Sequence, residues 1–387
     1  MDKEWSRFWW KNITGANYIV TSVINHLLDG TGVALIVPSD LPWRSKMRLV
    51  IEEAFRGIGG SSEILVSLID AEDECSEEES VGSFLLNKFG QSREIRNGYR
   101  ERGKNSIQDY LKKKEVFKNK VIWVKGAGGK TAKKWIEFCQ EYSSGAPEHG
   151  LFVLEVHDIA NVYESPNLKP IYYEDNISTN DIQLFNEFMV SDDNSYNTLW
   201  KEYIAVVSAC LCETDAEISE LLIRENNFKT ESPEEGLKRI ADMGEYKRRG
   251  GDVKSGHVLA LIRNNDFNEI HHRIWVAQVK TLYPVIEFER NEMINKYKKD
   301  IESVLRSVPI KQFNRLLTKA EDVELGTLVY MLSSSVDSSG YKLLYMPDDK
   351  DRERIFFLHD CRNQIAHTKI CSPEQIQRLA SYYDKKR

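Results

Sequence analysis

The sequence predicts two structural classes in one chain, an α/β domain followed by an all-α region. Up to about residue 178, short apolar runs alternate with helical stretches, which is typical of an α/β domain with a mostly parallel sheet. Beyond about residue 192 the strand signals fade and long amphipathic helical patterns take over. We therefore expect an α/β domain over 1–178, a helical linker region over 179–265 and a helical bundle over 266–387.

The composition is that of a soluble, cytoplasmic protein. The 387 residues carry 60 acidic and 53 basic side chains, and a net charge of −7 argues against nonspecific coating of nucleic acid but permits a local basic groove. No stretch approaches the ~18 consecutive apolar residues of a membrane span, and the first residues have no signal pattern. For this reason we expect no membrane partner. The six cysteines have neither zinc nor disulfide spacing, so we also expect no metal site.

Five apolar runs are predicted to form the sheet. The first, 33–37, is followed by a proline-containing turn and a helical segment over 45–55. The later runs lie at 63–69, 121–124, 151–156 and 171–173. A helix after Gly129 is expected to bury Trp135, Ile136 and Cys139 against this sheet.

Aromatic residues are concentrated near the first residue. Trp5, Phe8 and Trp9 have helical spacing and fall on one face, with Trp10 beside them. Packing onto the sheet is the favoured interpretation. An exposed patch that binds a protein partner is the alternative.

The order of strands and helices in 1–178 resembles that of P-loop NTPases, in particular the AAA and STAND-type ATPases of bacterial conflict systems. In that class the pattern GxxxxGK[ST] cradles phosphates with backbone N–H groups, and its Lys and hydroxyl neutralise phosphate and hold Mg²⁺. The first strand here leads into 38–42, where Pro38 and Pro42 remove two donors and neither Gly nor Lys occurs. This loop is therefore predicted not to act as a phosphate loop.

A second candidate loop ends in GKT between a predicted strand and a predicted helix. Its first glycine is two residues too close, because Val124 stands where the pattern requires Gly. A shortened loop still directs a helix N-terminus toward an anion, although a glycine-rich turn is the commoner explanation. The cofactor-binding candidates in this loop are Gly126, Gly128, Gly129, Lys130 and Thr131.

Glu155 ends an apolar run and is a candidate Walker B acid. Taken with the two loops, it indicates a degenerate NTPase-like domain that serves as a scaffold or sensor. We expect no cofactor, with weak ATP binding as the alternative.

The C-terminal half is predicted to be helical throughout. We expect a joint at 250–252, a possible start or kink at Pro284, and Ser372 as the N-cap of a last helix from Pro373 to Tyr383. The predicted helices span 200–224, 233–248, 257–263, 270–305, 323–332 and the segment around Arg362.

The string RNQIAH at 362–367 places an arginine, an amide and a histidine within one and a half helical turns. Arg presents a fixed fork of donors to phosphate, and His exchanges a proton near neutral pH. The segment 356–379 resembles the signature helix of HEPN domains, and the number of helices after residue 266 is similar to that of a HEPN bundle. The resemblance implies a metal-independent endoribonuclease with Arg362, Asn363 and His367 as its catalytic residues.

On one helix, positions 362 and 367 lie about 140° apart, so a single chain does not obviously bring both side chains to one phosphate. The resemblance implies a homodimer in which Arg362 of one chain joins His367 of the other around RNA. His359 is a weaker second candidate, and His271 and His272 are expected to be solvated.

Two functions from different classes remain open. The first is an endoribonuclease regulated by the degenerate NTPase-like domain, in antiphage defence or another conflict response. The second is a noncatalytic adaptor or RNA-binding scaffold in a multiprotein complex.

Overall fold

The computed structural model describes residues 4–57, 64–76, 78–100, 105–146, 149–157, 159, 161–244, 246, 256–312, 314–335 and 341–383. The chain divides into two compact units. The first contains the described residues up to Phe185 together with Thr214–Glu217, and the second contains the others. The predicted joint at 250–252 lies outside the described residues.

The first unit is an α/β structure built on five strands. Its strands are β1 (Gly32–Ile36), β2 (Leu65–Asp70), β3 (Lys120–Gly128), β4 (Leu151–His157) and β5 (Leu168–Tyr172). Its helices are α1 (Trp5–Asn12), α2 (Thr14–Leu28), α3 (Arg44–Gly57), α4 (Ala71–Glu74), α5 (Val81–Phe89), α6 (Arg93–Asn97), α7 (Ile107–Lys113), α8 (Gly129–Glu141) and α9 (Tyr173–Asn176). Helix α10 (Thr179–Ser191) contains the boundary between the two units.

The five strands form one parallel sheet in the order β2-β3-β4-β1-β5. The predicted α/β class with a parallel sheet is confirmed. All five strands overlap predicted apolar runs, and β3 continues four residues past its run to Gly128, with an irregularity in its pairing between Val124 and Ala127. The central strands β1 and β4 are buried along almost their whole length, as expected for parallel strands, whereas the edge strand β2 exposes Leu65 and Leu68.

Alternating residues of the central strands enter two apolar layers. On β4, Phe152 and Leu154 join a core that includes the predicted Trp135, Ile136 and Cys139 of α8, all buried. Helices α1, α2 and α3 pack with one another, and α2 also contacts β1 and β5.

The aromatic cluster near the first residue is packed inside the first unit, where α1 contacts α2 and α3. Trp9 and Trp10 are fully buried. The ring of Phe185 is the centre of the cluster, at 5.4 Å from Trp9 and 5.8 Å from Trp5. Phe8 and Trp43 also contact it.

The second unit is helical apart from one short hairpin, β6 (Lys311–Gln312) with β7 (Arg315–Leu316). Its helices are α11 (Thr198–Cys212), α12 (Ala216–Glu225, which begins in the first unit), α13 (Pro233–Asp242), α14 (Val258–Arg263), α15 (Phe267–Lys296), α16 (Lys298–Ser307), α17 (Leu325–Ser333), α18 (Asp349–Ala366) and α19 (Pro373–Tyr383). No helix among the described residues has the length and apolar character needed to cross a membrane.

One hydrophobic core runs through the second unit from Val190 to Ala380. Helix α15 lies at its centre and packs against α11, α18 and α19. The core is continuous across residue 266, so the helices predicted as a linker region and those predicted as a bundle share their buried side chains.

Two predicted helices are divided, and of the two alternatives at Pro284 the start of a new helix is not observed. The segment 200–224 breaks at Glu213, whose φ of 53° does not fit a right-handed helix. The segment 270–305 breaks at Tyr297. Helix α15 passes through Pro284 without ending, although proline supplies no N–H to the helix. The parts of α15 before and after Pro284 pack against other helices, and this packing holds the helix together.

Candidate functional site

Helix α18 carries the Arg362 motif on a helix with a narrow buried stripe. Ile355, Leu358, Cys361 and Ile365 recur at intervals of three and four and face the core. Arg362 follows Cys361 directly and is therefore turned about 100° away from the stripe. It is half-buried, whereas His367 at the end of the helix is exposed.

The end of α18 is a Schellman motif. The Lys369 N–H donates to the Gln364 carbonyl at 2.9 Å, and the Thr368 N–H donates to the Ile365 carbonyl at 3.2 Å. Thr368 takes the left-handed conformation, with φ of 57°, which is costly for a β-branched residue. This turn fixes the backbone of His367, the last residue before it.

Side chains of helix α15 hold this turn in place by hydrogen bonds to its main chain. The buried Gln278 carboxamide donates to the Cys371 carbonyl at 3.0 Å and accepts from the Cys371 N–H at 2.6 Å. The Trp275 indole N–H donates to the Ile365 carbonyl at 2.7 Å. Because these donors and acceptors satisfy main-chain groups removed from water, the segment from Ile365 to Cys371 has a defined position on the core.

The Asn363 side chain joins two charged or titratable neighbours. Its Oδ1 accepts from Arg362 Nη1 at 3.3 Å, and its Nδ2 lies 3.0 Å from His359 Nε2. Arg362 Nη2 is also 3.8 Å from Glu324 Oε2. With the amide oriented in this way, Asn363 Nδ2 donates to His359 Nε2.

An open cavity of about 350 Å³, which we call the cleft, lies beside the end of α18. Its polar walls present amides, an imidazole, an ammonium group and the Asp360 carboxylate, and Arg362 does not line it. The lining residues are Phe357, Asp360, Asn363, Gln364, His367, Lys369 and Gln375.

Arginine and aromatic side chains border the cleft where α18 contacts α19. The Arg378 guanidinium lies 4.4 Å from the ring centre of Phe357, and its Nε donates to the Tyr382 hydroxyl at 2.8 Å. Arg354 lies 4.3 Å from the Tyr382 ring centre. These cation–ring contacts connect α18 with α19, and Arg354 is also paired with the buried Glu289 carboxylate.

The Cys361 thiol beneath the motif is not a nucleophile. Its hydrogen bond with Cys371 and its burial raise the pKa of Cys361 well above the usual range. The thiolate, which is the reactive form, is therefore absent near neutral pH. The chemistry of the cleft belongs to its nitrogen and oxygen groups.

The glycine-rich segment of the first unit does not form a separate loop. Gly126 and Gly128 belong to strand β3, and Gly129 is already the first residue of α8, with Lys130 and Thr131 in the first helical turn. The strand therefore runs into the helix without the intervening residues that wrap around a phosphate in a P-loop. The Lys130 side chain is exposed.

Glu155, the candidate Walker B acid, is buried in an internal charge cluster. Arg44 Nε and Arg48 Nε lie 3.6 and 3.5 Å from its carboxylate oxygens, and the Trp123 indole donates to it at 2.5 Å. Burial raises the pKa of the Glu155 carboxyl, against the opposing attraction of the two arginines.

Arg44 also donates to the carbonyl oxygens of Pro38 and Ser39 at 3.1 and 2.7 Å. The turn after β1 thus offers carbonyl groups to an internal cation. A phosphate would instead require N–H groups directed outward.

His359 is the one residue of the motif helix that sequence reasoning undervalued. The sequence makes it only a weaker second candidate, yet its side chain is 25% exposed and bound to Asn363. Its spacing of four residues from Asn363 carried the signal, since residues four apart share a helix face.

The chain matches no known family when scanned against family descriptions, and no curated protein matches its sequence.

Proposed function

We propose that the chain is a metal-independent endoribonuclease of the HEPN type, regulated by a degenerate NTPase-like α/β unit. The observation that carries the proposal is that His367 and Asn363 line one solvent-open cleft together with Lys369. An imidazole, an amide and an ammonium group on one surface suit proton transfer beside a phosphodiester. The second unit is helical and carries the motif on α18, which supports the proposal.

In this proposal His367 moves the proton. As a general base it takes the proton of a ribose 2′-OH, the 2′ oxygen bonds to phosphorus, and the bond from phosphorus to the 5′ oxygen breaks. The leaving 5′ oxygen takes a proton from water, His367 returns the proton it took to the solvent, and the products are a 2′,3′-cyclic phosphate and a 5′-OH. Asn363 orients the reacting groups, and Lys369 attracts the phosphate into the cleft.

The role of Arg362 requires a second chain. Arg362 is outside the cleft of its own chain and is directed toward Asn363 and Glu324. In a homodimer with facing α18 helices, the Arg362 guanidinium of one chain stabilises the phosphorane held at the cleft of the other.

Incubation of the purified protein with total RNA tests the proposal. We expect cleavage that persists in EDTA and leaves 2′,3′-cyclic phosphate ends, and that falls by about 10²–10⁴-fold in His367→Ala. His272→Ala is the matched control, because His272 is also exposed and does not line the cleft. Equal cleavage by His367→Ala and wild-type protein would rule out the assignment.

A noncatalytic RNA-binding adaptor is the second candidate. The observation in its favour is that Arg362 and His367 do not converge within one chain. The adaptor binds RNA through Lys369 and the arginines of α18 and α19 but leaves it intact. The same incubation therefore distinguishes the two functions.

A further inference from the structure

The cleft is elongated along helix α18. Its lining residues Phe357, Asp360, Gln364 and His367 recur at intervals of three and four, so they follow one face of the helix. From Phe357 to His367 the helix rises by about 15 Å, at 1.5 Å per residue. A phosphodiester held at His367 therefore occupies only one end of the cleft.

Arg378 of α19 lies at the other end. Its guanidinium is 4.4 Å from the ring centre of Phe357, which lines the cleft. Gln375, three residues earlier on α19, also lines the cleft, and residues three apart lie on the same helix face. The Arg378 guanidinium is therefore at the border of the cleft, far from His367 along α18.

The Arg378 guanidinium still has donors for a ligand. The side chain is exposed, and its Nε donates to the Tyr382 hydroxyl at 2.8 Å. Within the described part of the chain, no carboxylate lies within ion-pair distance of Arg378, in contrast to Arg354 with its partner Glu289. Because the ring contact and the bond to Tyr382 hold the planar group, its two Nη atoms form a fixed fork that suits phosphate oxygens.

The charges of the cleft favour phosphate at its two ends. Lys369 lines the cleft near His367, and Arg378 borders the Phe357 end. The Asp360 carboxylate, which is 71% exposed, lines the cleft between them. Water and salt screen its repulsion of a phosphate, whereas a guanidinium in direct contact gains charge-assisted hydrogen bonds. The two favourable phosphate positions therefore lie on either side of Asp360.

We propose that Arg378 binds a second phosphate of the RNA strand whose cleaved phosphodiester lies at His367; this rests on the proposed RNA-cleaving function. The strand then follows α18, with one phosphate at His367 and Lys369 and another at the Arg378 fork. Arg378 is a binding residue and takes no part in proton transfer. It fixes the register of the strand, because phosphate contacts position a nucleic acid without reading its sequence.

Salt-dependent binding tests this proposal without relying on cleavage. His367→Ala protein is titrated into a fluorescein-labelled single-stranded oligoribonucleotide, and fluorescence anisotropy gives the affinity at several salt concentrations. In this background we expect Arg378→Ala to weaken binding by about tenfold at low salt. The slope of log affinity against log salt should become shallower by about 0.7, the contribution of one phosphate of a single strand. Arg378→Lys keeps the charge and should retain the slope.

Arg306→Ala is the matched control, because Arg306 is also exposed and lies on α16, which contributes no residue to the cleft. It should leave the slope unchanged. Arg378→Gln, which keeps a planar polar group without the charge, replaces Arg378→Ala if that protein does not fold.

No measurable binding of the oligoribonucleotide, or an unchanged slope in Arg378→Ala, would overturn the second phosphate position. An equal loss of slope in Arg378→Lys would also overturn it, because the loss would then come from altered packing of α19 and not from the missing charge.

The two proposals fail separately. RNA that binds with the expected loss of slope in Arg378→Ala, but is not cut by wild-type protein, supports the second phosphate position and removes the nuclease. RNA that is cut by wild-type protein, with an unchanged slope in Arg378→Ala, leaves the nuclease and removes the second phosphate position.

Discussion

Asn363 Nδ2 lies 3.0 Å from His359 Nε2, one helical turn earlier on α18. Because Asn363 Oδ1 accepts from Arg362 at the same time, the amide holds an arginine and a histidine in one hydrogen-bonded chain. Asn363 also lines the cleft beside His367. In the proposed enzyme, His359 is thus a positioning residue, which acts on the cleft through Asn363.

We expect His359→Ala to lower kcat for RNA cleavage by about 10- to 100-fold with little change in KM, because an unheld Asn363 no longer orients the reacting groups. His359→Gln is expected to restore most of the rate, since its amide oxygen can accept from Asn363. Steady-state kinetics on one defined RNA measures both. A His359→Gln protein as inactive as His359→Ala would instead indicate that His359 itself transfers a proton.

Thr368 stores strain at the turn that follows His367. Its φ of 57° is unfavourable for a β-branched residue and free of cost for glycine. We expect Thr368→Gly to stabilise the second unit by about 0.5–1 kcal/mol, after allowing for the greater flexibility of glycine in the unfolded chain. Urea unfolding followed by the fluorescence of Trp200 and Trp275 provides the measurement.

The matched comparison for Thr368→Gly is Ala366→Gly, two residues earlier. Ala366 is exposed and is the last residue of the right-handed helix. There glycine should destabilise by up to about 1 kcal/mol. The same sign for both substitutions would contradict the strain at Thr368.

The charge cluster in the first unit predicts a pH-dependent effect of Arg44. Burial holds the pKa of Glu155 in the folded protein above its ordinary value. At pH values between the unfolded-state pKa and the folded-state pKa, the folded state therefore binds a proton more readily than the unfolded state. Stability from this group is therefore greatest at low pH and is lost as pH rises toward the folded pKa. Arg44 limits the loss by favouring the carboxylate.

We expect Arg44→Ala to destabilise the first unit by about 2–3 kcal/mol at pH 7 and by less near pH 4.5, because the penalty arises only where Glu155 ionises. Denaturant unfolding at both pH values measures the difference. Arg7→Ala, which removes an exposed ion pair with Glu53, should cost about 0–1 kcal/mol. In a Glu155→Gln background the pH dependence of the Arg44→Ala effect should disappear. If the pH dependence persisted, it would have to be assigned to groups other than Glu155.

The sheet was predictable from the sequence, but the surfaces that surround the motif were not. Apolar runs marked all five strands because buried parallel strands are apolar on both faces. The extension of β3 through Lys125 and Gly126 was not predictable, since neither residue favours a strand by itself. Helix α15 crosses Pro284 because contacts distant in sequence hold it, and no local pattern records them.

The motif itself was visible as a string, and the hydrogen bond between His359 and Asn363 was predictable from their spacing. The cleft was not, because Gln375 of α19 closes one side of it. That wall depends on how α18 and α19 meet in the core. The same holds for a second cavity, of about 430 Å³, in which residues as distant in sequence as Tyr203 and Ile376 share one space.

The separation of Arg362 from the cleft makes a prediction about assembly. If the site is shared between two chains, Arg362→Ala and His367→Ala proteins should each be inactive, and a one-to-one mixture should recover activity. Half of the dimers are then hybrids, and each hybrid has one site with both side chains intact, so about a quarter of wild-type activity is expected for free exchange. Cleavage assays after mixing, with the oligomeric state measured by light scattering, test this.

The control for this mixture is the double variant Arg362→Ala, His367→Ala combined with His367→Ala. No hybrid of these two proteins supplies a histidine, so it should remain inactive. Recovery in that control would trace the activity to a contaminant. Absence of recovery in the first mixture, from proteins that do exchange subunits, would mean that Arg362 serves only its own chain, where Asn363 and Glu324 are its partners. Its role would then be to hold Asn363 in place, and charge on the phosphorane would have to be stabilised by Lys369, the basic residue that lines the cleft.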